Sequence, residues 1–291
     1  MHIFLTGATG YIGSAIAREL IDAGHRVVGL ARSDEAARKL IEHHVHPYRG
    51  DLMDRSSILA AARPADAAIH AGSPGEEDNR QADEIMITAI LDVFRETGKC
   101  FLYTSGMWVM GETGPVPMDE DAPLNPLEMV AWRAGVERRV LHFEEHGMRT
   151  VVIRPGIVYG HGKGIPAMMR PRADGAVPCV GDGSNHWPVV DVDDLARLYR
   201  LVVENATASG VFLAVSENVL VRDVAEAMCE GQRARCIETI PLDRAQERLG
   251  FLADGLVLDQ LATSERAMRV LGWVPHAPSL LDDLRCGSYI R

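Results

Sequence analysis

Short runs of apolar and β-branched residues, HIFLT, RVVGL, AAIHA, CFLYTS, TVVIRP and GVFLAVS, recur along the chain, and longer stretches with apolar positions at helical spacing, such as residues 15–23 and 82–96, separate them. Strand-like runs alternating with amphipathic helices predict a parallel sheet with helices on both faces. NPLEMVAWRAGVERRVLHF, residues 125–143, reads as one further helix. After Arg154 and Pro155 the texture changes. GIVYGHGKGIPAMMRPRADGAVPCVGDGSNHWP is punctuated by glycine and proline, which predicts an irregular covering segment. The chain then returns to the sheet with VVDVDDLARLYRLVVEN and VFLAVS and finishes in short helices and strands from Val219 onward.

Composition narrows the class. At 291 residues the chain can bury a large core. A formal charge of -11, with no local run of lysine and arginine to offset it, argues against a nucleic-acid partner. The apolar runs are too short to span a bilayer, so no membrane is expected. MHIFLTGATG enters a strand at once rather than building a signal peptide, which gives an expectation of a cytoplasmic protein. Cys100, Cys179, Cys229, Cys236 and Cys286 are scattered without a C-x-x-C, which suits a reducing compartment and is read as five buried small hydrophobes.

The candidate chemistry begins at the first strand. Gly7, Gly10 and Gly13 form G-x-x-G-x-x-G between a strand and a helix, with a second strand ending at Leu30. Glycine at the first two positions lets the backbone turn tightly and approach a pyrophosphate held at the helix N-terminus; the third lets the helix pack close to the strand. This context predicts dinucleotide binding. A carboxylate at the end of the second strand would select NAD through the adenosine ribose 2′-hydroxyl. Here Arg32 and Ser33 follow Ala31, and both can bind a 2′-phosphate, so NADP is expected over NAD. The fold expectation is therefore α/β: a doubly wound parallel sheet (Rossmann) with a small C-terminal substrate-binding lobe. Residues 1–155 with 189–217 are expected to form the dinucleotide-binding domain, and 156–188 with 218–291 the smaller lobe, with a cleft above the carboxyl ends of the strands.

The ordered series TGATGYIG, GDLMD, AAIHAG, FLYTSGMWVMG, VVIRPGIVYG, VGDG, VDVDDLA and SERAMRVLGWVP resembles the extended short-chain dehydrogenase/reductase family, the epimerases and dehydratases of nucleotide sugars and their relatives. The resemblance spans nearly the whole chain. It implies cofactor contacts from Thr9, Tyr11 and Ile12 beside the three glycines, and from Asp51, Leu52, Ala71, Gly72 and Pro155. The family's chemistry uses a Ser or Thr, a Tyr, and a Lys four residues after the Tyr. Matching Glu137 to the end of the family's helix puts Met129 at the Tyr position and Arg133 at the Lys position, and Gly111 to the glycine of its VYG motif puts Gly106 at the hydroxyl position, one residue from Ser105. Methionine carries no proton. Arginine can hold a ribose or phosphate but keeps its own proton.

All three catalytic positions being changed, other residues are weighed. Tyr159 and Lys163 have Y-x-x-x-K spacing, but in a glycine-punctuated loop where no helix would stack them. Trp187 stands where sugar-nucleotide enzymes place an arginine on the diphosphate, which points to an apolar or aromatic substrate. Trp108 and Trp132, flanking the altered positions, are expected with Gly106, Met129 and Tyr159 to line the substrate pocket. His186, His161 and Ser105 are the candidates for proton transfer and orientation. His43, His44 and His46 lack ligand spacing, and Asp191, Asp193 and Asp194 read as a helix cap, so no metal site is expected. The leading expectation is an atypical NADP(H)-dependent oxidoreductase or epimerase-like enzyme acting on a small organic molecule other than a nucleotide sugar. The alternatives are a non-catalytic NADP(H)-binding sensor or scaffold and a non-redox isomerase or lyase. A homodimer through ADEIMITAILDVF and MVAWRAGVERRVLHF is a further expectation.

Overall fold

The computed structural model describes residues 1–75 and 78–290. Its strands are β1 (His2–Thr6), β2 (Arg26–Ala31), β3 (His46–Arg49), β4 (Ala67–His70), β5 (Cys100–Thr104), β6 (Arg149–Pro155), β7 (Ile157–Tyr159), β8 (Ala176–Val180), β9 (His186–Asp191), β10 (Gly210–Ala214), β11 (Glu217–Leu220) and β12 (Cys236–Ile240). The helices are α1 (Tyr11–Asp22), α2 (Asp34–Glu42), α3 (Arg55–Ala62), α4 (Asn79–Phe94), α5 (Ala131–His142), α6 (Val192–Glu204), α7 (Val221–Gly231), α8 (Leu242–Leu249), α9 (Leu252–Val257), α10 (Glu265–Leu271) and α11 (Leu280–Cys286). The main sheet has the order β10-β6-β5-β4-β1-β2-β3, with β2, β4, β5 and their neighbours paired in parallel. Strand order reverses beside β1, where Ile3 stands opposite both Val27 and Ala67. In doubly wound sheets that reversal is where a ligand sits, at the carboxyl ends of the strands.

The chain forms two compact units. The first comprises Met1–Ser105, Trp132–Arg154 and Leu195–Phe212; the second comprises Gly106–Ala131, Pro155–Asp194 and the chain from Leu213 onward. Residues 106–131, 155, 189–194 and 213–217, expected with the dinucleotide-binding domain, thus cluster with the second unit. The core of the first unit joins Phe4 and Phe101 of the sheet to Ile58, Met86, Ile90 and Phe94 of α3 and α4. In the second unit, β9 pairs antiparallel with β11 and parallel with β7, and β12 pairs with β8. Tyr159, Trp187, Val224, Met228, Leu280 and Tyr289 fill its core.

Several expectations change. The segment 156–188 holds β7, β8 and the first half of β9, with turns and a 3₁₀ helix between them, and so is only in part irregular. Its glycines at 160, 162, 164, 175, 181 and 183 all have positive φ, which marks tight turns between short strands. The helix expected over 125–143 becomes α-helical only at Ala131. Glu128–Val130 form a 3₁₀ turn, after Leu127 in an extended conformation. β3, HPYR, is a short, half-exposed edge strand containing a proline, without an apolar face to signal it in the sequence. Of the cysteines only Cys100 and Cys179 are buried; Cys236 and Cys286 are exposed, on an edge strand and at a helix end. Burial pushes the Cys100 thiol up to about 12, so it is inert at neutral pH.

Candidate cofactor and substrate sites

The glycine turn after β1 is fitted by close backbone approach. Gly7 has φ +76°, and a Cβ there would lie 2.3 Å from the Ala71 carbonyl oxygen and 2.8 Å from Gly72 Cα. A Cβ on Gly13 would lie 2.1 Å from the Gly7 oxygen. Gly10 donates to the same oxygen at 2.8 Å and caps α1, whose start has no side-chain cap and no acidic residue in its first turn. Thr9 and Gly10 are exposed, and Tyr11 and Ile12 half-buried. A helix start left open in this way, beside a turn that no side chain can enter, suits a phosphate.

Three further strand ends surround it within the first unit. Arg32, exposed beyond β2, makes no ion pair among the described residues. Ser33 caps α2, its Oγ accepting from the Ala36 N–H at 3.1 Å, which leaves the hydroxyl hydrogen free to donate. The Asp51 carboxylate accepts from the Met53 N–H, and Leu52 packs where a Cβ on Gly72 would stand.

Arg133 projects from the first turn of α5 onto a buried polar chain that its sequence neighbours do not announce. Its NH1 donates to Tyr103 Oη at 3.0 Å and to the Thr104 carbonyl at 3.2 Å. Tyr103 donates to one oxygen of Asp83, whose other oxygen lies 2.9 Å from His70 Nε2; His70 Nδ1 lies 2.7 Å from Thr6 Oγ1. Burial works to raise the pKa of Asp83, but His70, Arg133 and Tyr103 together outweigh it and hold the carboxyl below the ordinary range. Burial also drives the Tyr103 phenol far up, so it stays protonated and serves as a hydrogen-bond donor rather than a proton carrier. Trp132, expected in the substrate pocket, lies under the Arg133 guanidinium at 4.7 Å.

Ser105 has a buried Oγ without a hydrogen-bond partner, while its N–H donates to the Ile153 carbonyl. An orphaned hydroxyl of this kind is available to a ligand. Gly106 has open space where a Cβ would be. Met129 is half-buried in the 3₁₀ turn. Pro155 is buried at the end of β6.

In the second unit, Nδ1 of His186 lies 2.9 Å from Asp259 Oδ1, which also accepts the His186 backbone N–H. The ring is partly exposed, so its Nε2 can exchange a proton while the carboxylate orients it. Asp259 is 73 positions away in sequence, and nothing local marks it. The next residue, Gln260, donates to the Met107 and Gly111 carbonyls. Trp187 is buried and donates its indole N–H to the Leu256 carbonyl at 3.0 Å. It lines a cavity of about 210 Å3 in which every lining residue except Arg172 and Arg248 is apolar, Met169, Pro178, Ile240 and Leu249 among them. Arg172 is paired with Glu238. Trp108 packs on Gly255 of α9, next to Leu256. Two expectations are corrected here. Tyr159 is a core residue whose hydroxyl donates to the Pro278 carbonyl, not a pocket wall. His161, with φ +52°, is exposed and paired with an equally exposed Asp193. Asp191 caps α6 through the Asp193 N–H, whereas Asp194 accepts from the His276 and Ala277 N–H groups and so anchors the C-terminal chain.

Comparison with known proteins agrees with this geometry. An uncharacterized protein of Saccharomyces cerevisiae, YLL056C, is 34% identical over 98% of both chains. A 2-alkyl-3-oxoalkanoate reductase of Stenotrophomonas maltophilia is 28% identical over 98% of both. The crystal structure of Thermus thermophilus UDP-glucose 4-epimerase in complex with NAD superposes with a TM-score of 0.81 at 20% identity, covering 99% of this chain and 98% of that one. No helix among the described residues is long and apolar enough to cross a membrane. The model of the NAD dependent epimerase/dehydratase family matches residues 3–214, which supports a nicotinamide dinucleotide as cofactor, and the chain belongs to that family.

Proposed function

We propose that this protein is an NADP(H)-dependent oxidoreductase that adds hydride to the carbonyl carbon, or takes it from the corresponding alcohol carbon, of a small apolar molecule, not a nucleotide sugar. The cavity beside Trp187 carries this reading. Eleven of its thirteen lining residues are apolar, the indole N–H is consumed by Leu256 and the Arg172 charge is offset by Glu238, so Arg248 is the one lining cation without an ion-pair partner among the described residues and the surface is chiefly aliphatic and aromatic. The Stenotrophomonas maltophilia relative is named for an alkyl-bearing oxo compound, which is consistent with such a substrate. When bound, the nicotinamide would supply the hydride, and the glycine turn, Arg32, Ser33 and Arg133 would hold the dinucleotide.

In this reading His186, oriented by Asp259, is the proton donor; it stands on β9 next to Trp187 and outside the lining of the cavity. His186→Asn should lower turnover by roughly 10²–10⁴ with little change in NADPH affinity, and Asp259→Asn should lower it less. Steady-state assays with the reducible carbonyl substrate make the test, and unchanged turnover in His186→Asn would return the proton to water. Cofactor choice is tested separately. Because Arg32 is exposed, its alanine variant should weaken NADPH binding by about tenfold and leave NADH binding unchanged, as read by calorimetric titration. Equal wild-type affinities for the two dinucleotides would refute the preference.

A further inference from the structure

We propose that Thr6, His70, Asp83 and Tyr103 are positioning residues for the dinucleotide, a buried polar chain that fixes the Arg133 guanidinium in register with the glycine turn. This rests on the reading of Arg133 as a cofactor contact. The chain crosses the first unit through five separate elements: β1, β4, α4, β5 and α5. One end touches the phosphate cradle directly. Thr6 precedes Gly7, and His70 precedes Ala71, whose carbonyl oxygen occupies the space a Gly7 side chain would need. At the other end Arg133 is the one partly exposed member, with a side chain 20% accessible against 3% for Asp83 and 2% for His70.

The hydrogen bonding is complete inside and open outside. The Asp83 carboxylate accepts from His70 on one oxygen and from Tyr103 on the other, and lies 3.8 Å from Arg133 NH1. His70 bridges Asp83 and Thr6, with Nε2 on the carboxylate and Nδ1 on the hydroxyl. Arg133 uses NH1 for both of its bonds and its flat face against Trp132, while Nε and NH2 form no hydrogen bond among the described residues. The guanidinium is thus clamped on one edge and one face, and its remaining donors are free for a ribose or phosphate oxygen. Stability alone does not call for such an arrangement, because buried ion pairs are replaceable by apolar residues of similar volume at little or no cost. A preorganised cation whose position is tied to the phosphate turn does need it.

The test is a double-variant cycle on the full chain, using Tyr103→Phe, Arg133→Ala and both together, read by calorimetric titration with NADPH and by the melting temperature of the free protein. Tyr103→Phe keeps the ring and removes only the hydroxyl that links Asp83 to Arg133. It should weaken NADPH binding by about three- to tenfold, and Arg133→Ala by about tenfold or more. In the double variant the affinity should stay within about twofold of Arg133→Ala, because Tyr103 acts through Arg133. A purely structural tyrosine would lower the melting temperature while its effect on affinity, if any, multiplied with that of Arg133. Such multiplicative losses, or wild-type affinity in Tyr103→Phe beside a weakened Arg133→Ala, would overturn the positioning role. Wild-type affinity in Arg133→Ala would instead remove the cofactor contact on which the proposal stands.

Discussion

Replacing Gly7 with alanine should abolish useful dinucleotide binding, weakening NADPH affinity by about a hundredfold or more, and should destabilise the fold by about 2–4 kcal/mol. Two costs add. At φ +76° an L-residue is strained by roughly 1–2 kcal/mol. The new methyl would also stand 2.3 Å from the Ala71 oxygen and 2.6 Å from its carbon, both backbone atoms that cannot rotate aside, so the turn and the end of β4 must separate. Gly24 provides the control. It has a similar φ of +84° with nothing within 4 Å of a Cβ, so Gly24→Ala should cost about 1 kcal/mol and leave NADPH affinity unchanged. Calorimetric titration and urea unfolding of the two variants separate strain from collision. Equal effects at the two positions would mean that close approach at Gly7 is unimportant.

Glu137→Ala should be the most destabilising change of a charged side chain, at about 3–5 kcal/mol in urea unfolding. Glu137 on α5 accepts from Arg154 Nε at 3.2 Å on both carboxylate oxygens and from its NH2 at 2.7 Å, and the two side chains are only 2% and 5% accessible. Arg154 NH1 already lacks a partner, so removing the carboxylate strands the whole guanidinium inside the protein. Replacing both residues by methionine removes the stranded charge as well and should restore much of the loss. A Glu137→Ala variant within about 1 kcal/mol of wild type would show that water reaches Arg154 and that the pair is not truly buried.

What the sequence revealed and concealed follows from how far apart the interacting residues are. HIFLT, RVVGL, CFLYTS and the glycine turn carry their signals within a few neighbouring positions, and each became the strand or turn its pattern predicted. The glycines between Tyr159 and Ser184 misled because composition alone does not separate a loop from short strands joined by left-handed turns. Arg133 could be aligned, but its companions could not: Tyr103 is 30 positions away, and Asp83 a further 20. His186 was visible as a candidate, while Asp259, which orients it, sits 73 positions downstream in a stretch without a motif. Trp187, expected to meet a substrate, is also a core residue, buried and tied through its indole N–H to Leu256 while it lines the cavity. Met129 looked helical from its spacing, but the chain is extended at Leu127 and tightens into a 3₁₀ turn before α5 begins.

The measurement closest to the central claim follows the hydride itself. NADPH carrying deuterium at C4 of the nicotinamide, incubated with the protein and a set of apolar aliphatic and aryl ketones, should yield an alcohol with one deuterium on the former carbonyl carbon. The label should appear with NADPH in preference to NADH and be strongly reduced in His186→Asn. Tight NADPH binding with no deuterium in any product would contradict the account and favour a dinucleotide held for structure or sensing.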